Sequence, residues 1–450
     1  MDLGHNEVGA TSAGLFTRAK RVFGDGTTRA TIERDPIPRY MERGEGAYLI
    51  DVDGRRFLDL NGNFTTLIHG HGFEPVAEAV SRQIRSGSCF ANPTAHELDL
   101  AELITTRVPG IDWIRFVNTG TEAVLFAVKA ARAYTGRPAI AKIEGAYHGA
   151  YDWVEVSQAS GPSTWGDPAE PASVPYYRGM PETVLNDVVT LRFNDVEGSV
   201  RLLEKHAHRL AAIIIDPTPS RAGLIVPEPE FVETINAMAR KLGIVLIADE
   251  VLNFRQSYEG ASARHGFRPD LFTLGKVIGG GLPIGAIGGS QEIMSVFGTG
   301  EKRAPLPAGG TFSANPLSMV AGLAAMSALD HAAFEHLERL GDRLRDRLSD
   351  EIAKKGAPFT VTGVASLFRI HAKRKAPRDF REALPSPAEA VIGEALTRAY
   401  AAAGVVFPNG AAACLSTPMT NADVDLVVDV FSEFLGTHSH LFESVSHEHS

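Results

Sequence analysis

The sequence predicts an α/β protein with a mostly parallel central sheet covered by helices, followed by a separate C-terminal lobe. Three observations predict it. Short runs that are apolar on both faces recur at WIRFVN (113–118), AIAKIEG (139–145), AAIIIDP (211–217), IVLIADEV (244–251), DLFTLGKVIGG (270–280) and IGAIGGS (284–290). Strands apolar throughout belong to sheets buried on both sides. Between them lie segments of helical period, such as TEAVLFAVKAARAYTG and FVETINAMARKLG, the crossovers that parallel strands need. From about residue 326 the pattern changes to long helices and then short strands.

Taken in order, residues 13–24 carry Leu15, Phe16, Ala19 and Phe23 at helical spacing, with Gly24 as the stop. AYLIDVDGRRFLDL reads as two strands around an Asp53–Gly54 turn. The Ser-, Pro- and Gly-rich stretch between 155 and 190 reads as a long loop, because strands of the same character resume after it. At roughly 150 residues per domain, a chain of this length holds two or three lobes. The divisions expected are 1–75, an N-terminal segment belonging to a small lobe; 76–325, a large domain; and 326–450, a C-terminal small domain.

Composition excludes several classes. With 44% hydrophobic and 22% charged residues the chain can bury a core without disulfides. Cys89 and Cys414 are far apart and lack metal spacing, so neither a disulfide scaffold nor a metal site is expected, and a reducing cytoplasm fits. A net charge of -10 gives no footprint for nucleic acid. The start MDLGHNEVGATSAG lacks a basic then apolar pattern, and no apolar run reaches about 18 residues. The expectation is a soluble cytoplasmic protein with no membrane partner.

Five segments carry chemistry. Lys276 ends a strand in FTLGKVIGGGLPIG, with Leu274, Gly275, Val277 and Ile278 around it. Apolar surroundings favour a neutral amine, the form that attacks carbonyls, although a lone lysine is ordinarily a solvated charge. Asp249 and Glu250 end IVLIA, where a carboxylate could hold a ring nitrogen protonated, or merely face water. In VNTGTEA, Thr119, Gly120 and Thr121 at a helix start could bind an anion or serve as a plain cap. Tyr147 in EGAYHGAYD could stack on a flat ring or lie half-buried in a turn. Thr311 follows two glycines before a further helix, again a phosphate-binding arrangement. Together they ask for a phosphate, a flat ring, a ring nitrogen and an aldehyde, which pyridoxal 5'-phosphate (PLP) provides.

The ordered set RGEGAYLIDVDG, VNTGTEA, GAYHG, DEV, TLGKVIGGGLPIGA and GGTFSANP resembles the fold-type I, class III aminotransferases. The similarity is greatest to the branch of glutamate-1-semialdehyde aminomutase and the β-amino-acid aminotransferases. It implies a PLP-binding large domain and a small α+β domain built from both chain ends. It also implies Lys276 as the Schiff-base lysine and proton shuttle, with Asp249 on the pyridine nitrogen. Val251 and Tyr147 would pack on the two ring faces, and His148 belongs to the motif. Gly120 and Thr121, beside Thr119, would bind phosphate. Thr311 would reach the cofactor of the neighbouring subunit, which requires a homodimer. Arg29, in TTRAT, matches an arginine that grips a substrate carboxylate. A second arginine common near the C-terminus is replaced in Pro408-Asn409-Gly410, while Arg221 stands five residues after Asp216 where a small polar residue is usual. Arg221 would bind a substrate carboxylate or the cofactor's phenolic oxygen. The activity implied is transfer of an amino group from a β-amino acid, or a compact aromatic one such as D-phenylglycine, to a keto acid such as 2-oxoglutarate or pyruvate. The alternative is a 2,1-aminomutase, against which Ala411 stands at that family's acidic position.

Overall fold

The computed structural model describes residues 9–29, 31–34, 36–300 and 303–442. Near the N-terminus β1 (Met41–Glu45), β2 (Tyr48–Asp51) and β3 (Arg56–Asp59) form an antiparallel meander. The predicted hairpin is β2–β3. β1 carries no apolar alternation, since MERGE is largely exposed, and so gave no signal. The first helix is Ala10–Ala19 and lies earlier than its apolar spacing suggested. Its start is fixed from a distance: the Asp53 carboxylate accepts the Thr11 and Ser12 amides at 3.0 and 3.2 Å.

The central sheet begins with β4 (Trp113–Val117) and β5 (Ala139–Ile143). The stretch 155–190, expected as loop, contains a small hairpin of β6 (Gly166–Asp167) and β7 (Glu170–Pro171), and a helix at Glu182–Asn186. The sheet resumes with β8 (Val188–Leu191), β9 (Leu210–Ile215), β10 (Val245–Asp249), β11 (Leu271–Gly275) and β12 (Gly285–Gly289). Its order is β4-β12-β11-β10-β9-β5-β8, and β12 is antiparallel to both its neighbours while the other pairs are parallel.

Every residue of β5, β9, β10, β11 and β12 is buried, which is why these segments read as apolar on both faces. Side chains of one strand feed two opposite layers. Ile214 and Val245 pack with Ala123, Val124, Ala127 and Val128 of the helix Gly120–Thr135. Ile213, Ile215 and Leu246 pack with Phe231, Val232 and Ile235 of the helix Pro229–Leu242. Each such side chain contributes about 1.5–3 kcal/mol when fully buried. Among the described residues no single helix is long and apolar enough to cross a membrane.

After the long helix His331–Lys355 come β13 (Thr360–Val364), β14 (Leu367–His371), β15 (Val405–Val406) and β16 (Ala413–Cys414). β13, β14 and β16 make a three-stranded sheet, whereas β15 pairs in parallel with β3. A single four-stranded sheet therefore draws on both ends of the chain.

The topology gathers the carboxyl ends of β4, β11, β10, β9 and β5 on one edge, the position where open α/β sheets bind ligands. β12 reaches that edge with its amino end, and a Cβ on Gly285 would lie 2.1 Å from the Thr119 carbonyl oxygen. Backbone cannot yield as a flexible side chain does. Gly285→Ala is expected to lower stability by about 1–3 kcal/mol through this overpacking, read as a lower urea midpoint with an unchanged denaturant slope.

Candidate active site

At the edge of the sheet β11 ends on the extended Gly275, and Lys276 opens a tight turn with φ 49°. That left-handed conformation is uncommon for a side-chain-bearing residue, and such strain collects at functional sites. Burial pulls the Lys276 ammonium pKa down, while the charges of Asp249 and Asp216 pull it up. The net effect favours the neutral amine more than water would.

Asp249 closes β10 and is buried. Its Oδ1 accepts the Val251 amide at 3.1 Å and the Thr273 hydroxyl at 3.0 Å. Its Oδ2 lies 2.7 Å from His148 Nδ1. Burial lowers the His148 pKa despite that neighbour, so a neutral imidazole donates from Nδ1. Nε2 of the same ring is buried and has no hydrogen-bond partner. Thr273, two residues before Gly275 on β11, had not been singled out in the sequence; period-two spacing could have marked it as sharing a face with Gly275.

Loops around this pair interlock. Thr119 caps the helix Gly120–Thr135 by accepting the Glu122 amide at 3.1 Å, and the Gly120 and Thr121 amides at its start have no acceptor within the helix. The Thr121 hydroxyl accepts the Ala150 amide at 3.2 Å and so ties the Tyr147–His148 loop to that helix. Beneath the loop, fully buried Lys142 donates to the carbonyls of Ile143, Ala146 and Val156 at 3.0, 3.3 and 2.8 Å. Val251 fits where no side chain stands opposite: a Cβ on Gly120 would meet it at 2.7 Å. Tyr147 is exposed, and the Arg221 guanidinium carbon lies 5.9 Å from its ring centre.

Two further predicted residues make no hydrogen bond to Lys276 or Asp249. Thr311 is exposed on the loop before the helix Pro316–Ala328. Arg29 Nη1 donates to Asn63 Oδ1 at 3.0 Å. Asn63 itself lies in a left-handed turn, Gly62 to Thr65, with φ of 52, 51, 56 and 71°. This strain is held by Arg255, a fully buried residue that binds the Thr65 carbonyl at 2.8 Å, the Ser366 hydroxyl at 3.1 Å and the Leu415 carbonyl.

The Aminotransferase class-III family model matches residues 30–434. The chain belongs to the class III aminotransferases. Glutamate-1-semialdehyde 2,1-aminomutase 2 of Halalkalibacterium halodurans is 36% identical over 424 residues, 93% of this chain and 96% of that protein. An omega-transaminase from Sphaerobacter thermophilus superposes with a TM-score of 0.93 at 46% identity, over 96% of this chain and 98% of that one. A β-phenylalanine aminotransferase from Variovorax paradoxus gives 0.86 at 30% identity, over 96% and 95%. The fold is thus fold-type I, and the protein is a PLP-dependent transaminase.

The residues present fit this cofactor. A buried carboxylate, a buried imidazole nitrogen without a partner, a largely enclosed lysine amine and free amides at a helix start meet at one edge. Asp216 adds a second acid there, with Oδ1 bound to the Thr218 amide at 2.9 Å and to Asn253. Burial, and then Asp249, raise its pKa well above 3.8. The folded state therefore holds a proton that the unfolded chain loses near pH 3.8. Stability from this group is whole below that pH and is lost as pH rises through the raised value. Asp216→Asn keeps the acceptor without the titration. Its urea midpoint, relative to that of the unchanged protein, should be lowest near pH 4 and climb as the pH is raised to about 8. A constant difference across that range would remove the assignment.

Proposed function

We propose that Lys276 carries the cofactor and that the protein moves an amino group from a β-amino acid or compact aromatic amino acid to a keto acid. The observation behind this reading is the largely enclosed Lys276 amine at the sheet edge, within the field of Asp249, which His148 braces at 2.7 Å. PLP, when bound, supplies an electron sink that makes a proton on the substrate carbon labile.

The chain's residues do the rest. Asp249 keeps the ring nitrogen protonated, and the neutral His148 holds the Asp249 carboxylate in line by donating to Oδ2. Lys276 Nζ, its pKa lowered by burial, would be the group that takes and returns the substrate proton. Amides of Gly120 and Thr121, with the Thr119 and Thr121 hydroxyls, would hold the phosphate, and Val251 and Tyr147 would pack on the ring. Arg29 and Arg221 bind substrate carboxylates. Thr311, exposed on its loop, would complete the phosphate site of a second copy in a homodimer.

An aminomutase is the second reading, favoured by the Halalkalibacterium halodurans relative. It is opposed by Ala411, which offers no acid. Two measurements separate the outcomes. Borohydride reduction of the holoprotein should fix the cofactor on the peptide containing Lys276; a label elsewhere would refute the assignment. Product formation from a β-amino acid should require 2-oxoglutarate or pyruvate. Turnover of glutamate 1-semialdehyde without any acceptor would establish the aminomutase instead.

A further inference from the structure

We propose that Arg221 and Arg369 together form an anion subsite that selects keto diacids over keto monoacids as the amino acceptor. The inference rests on the aminotransferase reading above and extends it to the acceptor.

Leu367, Arg369 and His371 alternate along β14. The latter two reach the segment that follows β9. Arg369 Nη1 donates to the Ser220 carbonyl at 2.9 Å and the Arg221 carbonyl at 3.4 Å, and His371 Nε2 lies 3.1 Å from the Gly223 carbonyl. Arg369 is only 8% exposed. Among the described residues no carboxylate pairs with it or with Arg221. A buried cation without a countercharge is costly to a fold, and carbonyls offset only part of the loss of water. The charge that Arg369 feels most is a second cation: burial, and then Arg221, bring its pKa down to about 10.

Nearby groups do not restore neutrality. His371 is uncharged, its pKa lowered to about 3 by burial and by Arg369. Asp216, earlier in the same segment, is driven toward its protonated form. Lys373 is matched by Glu389 at 2.6 Å. Arg221 thus stands beside Tyr147, whose neighbour His148 contacts Asp249, and Arg369 lies behind it on the Ser220 and Arg221 carbonyls.

Asn409 explains why cations are wanted here. Its loop ends against the same segment, with the Ala412 amide on Ser220 Oγ at 3.0 Å. The Asn409 amide oxygen instead faces the helix Pro387–Ala402, 3.4 Å from the position of a Cβ on Gly393. That loop brings no positive charge, and Arg221 and Arg369 supply it from the other side. A keto diacid brings two negative charges to two uncompensated cations; a monoacid leaves one unmet. Guanidiniums also match carboxylates in bidentate geometry.

The test compares 2-oxoglutarate with pyruvate at one saturating amino donor. For the unchanged holoenzyme kcat/KM should favour 2-oxoglutarate. Arg221→Ala and Arg369→Met should each reduce that preference roughly 10- to 100-fold, mainly through the KM for 2-oxoglutarate. Arg369→Lys, which keeps the charge and loses the fork, should recover part of it. Because Arg369 is buried, circular dichroism and the urea midpoint of its variants are measured alongside, and the exposed Arg221 gives an independent result if Arg369→Met fails to fold. A preference for pyruvate in the unchanged enzyme, or a ratio unmoved in Arg221→Ala, overturns the subsite while leaving transamination intact. If the donor alone fails to convert the cofactor to its amine form, the aminotransferase reading itself has failed.

Discussion

The site depends on a contest between desolvation and charge at Lys276. Burial withdraws water from the amine and favours its neutral form, while Asp249 and Asp216 would restore the proton. Were both acids fully charged, the amine would be held as an ammonium and could not attack a carbonyl. The structure moderates the second pull by driving Asp216 toward its protonated state through burial and the neighbouring Asp249. Asp249 in turn is committed to Val251, Thr273 and His148. One acid is thus fixed in place and the other is muted, although both stand at adjacent strand ends.

Such a balance needs geometry that cannot drift. The Tyr147–His148 loop is pinned from below by Lys142, whose three carbonyl acceptors take the place of water around a fully buried amine with its pKa pulled down to about 7 by burial. Thr121 pins it from the side. Across the site, four consecutive left-handed residues, three of them bearing side chains, would cost about 1–2 kcal/mol for each side-chain-bearing residue if unsupported. Arg255 offsets that cost by binding carbonyls from two distant segments at once, 65 and 415, so the turn that meets Arg29 is held by the whole molecule rather than by its own sequence. Buried basic side chains bound by backbone oxygens are a repeated device here, at Lys142, Arg255 and Arg369.

Much of this was legible in the sequence because burial on both faces leaves an unmistakable apolar record. β5, β9, β10, β11 and β12 are all readable as strands, and the residues just after the parallel ones, β5, β9, β10 and β11, fall together at one edge. What could not be read was anything fixed by long-range polar contacts. β1 is exposed and polar, and β8 is four residues emerging from a Pro-rich stretch. Helix Ala10–Ala19 takes its start from Asp53, some forty residues away. No local pattern marks Lys142, Arg255 or Arg369 as buried; only the fold reveals it. Arg29 is nameable by resemblance alone, whereas Thr311 is marked by the two glycines before it; within one chain neither reaches the lysine through a hydrogen bond.

Charge placement separates this chain from others of similar architecture. Fold-type I sheets place a lysine and an acid at neighbouring strand ends by topology, so those two residues mark the chemistry and leave the substrate open. The small sheet of β13, β14 and β16 meets the segment after β9 through Arg369 and His371, beyond the ends of the central strands. Here that seam has lost a cation at position 409 relative to the pattern it resembles and has gained one at 221, next to a buried arginine on β14. An exchange of this kind conserves the field at the mouth of the site while changing its direction and reach. Recognition of an anion depends on the field a ligand meets and the geometry in which donors are offered, so two chains with the same lysine, the same acid and nearly the same backbone can prefer acceptors of different charge.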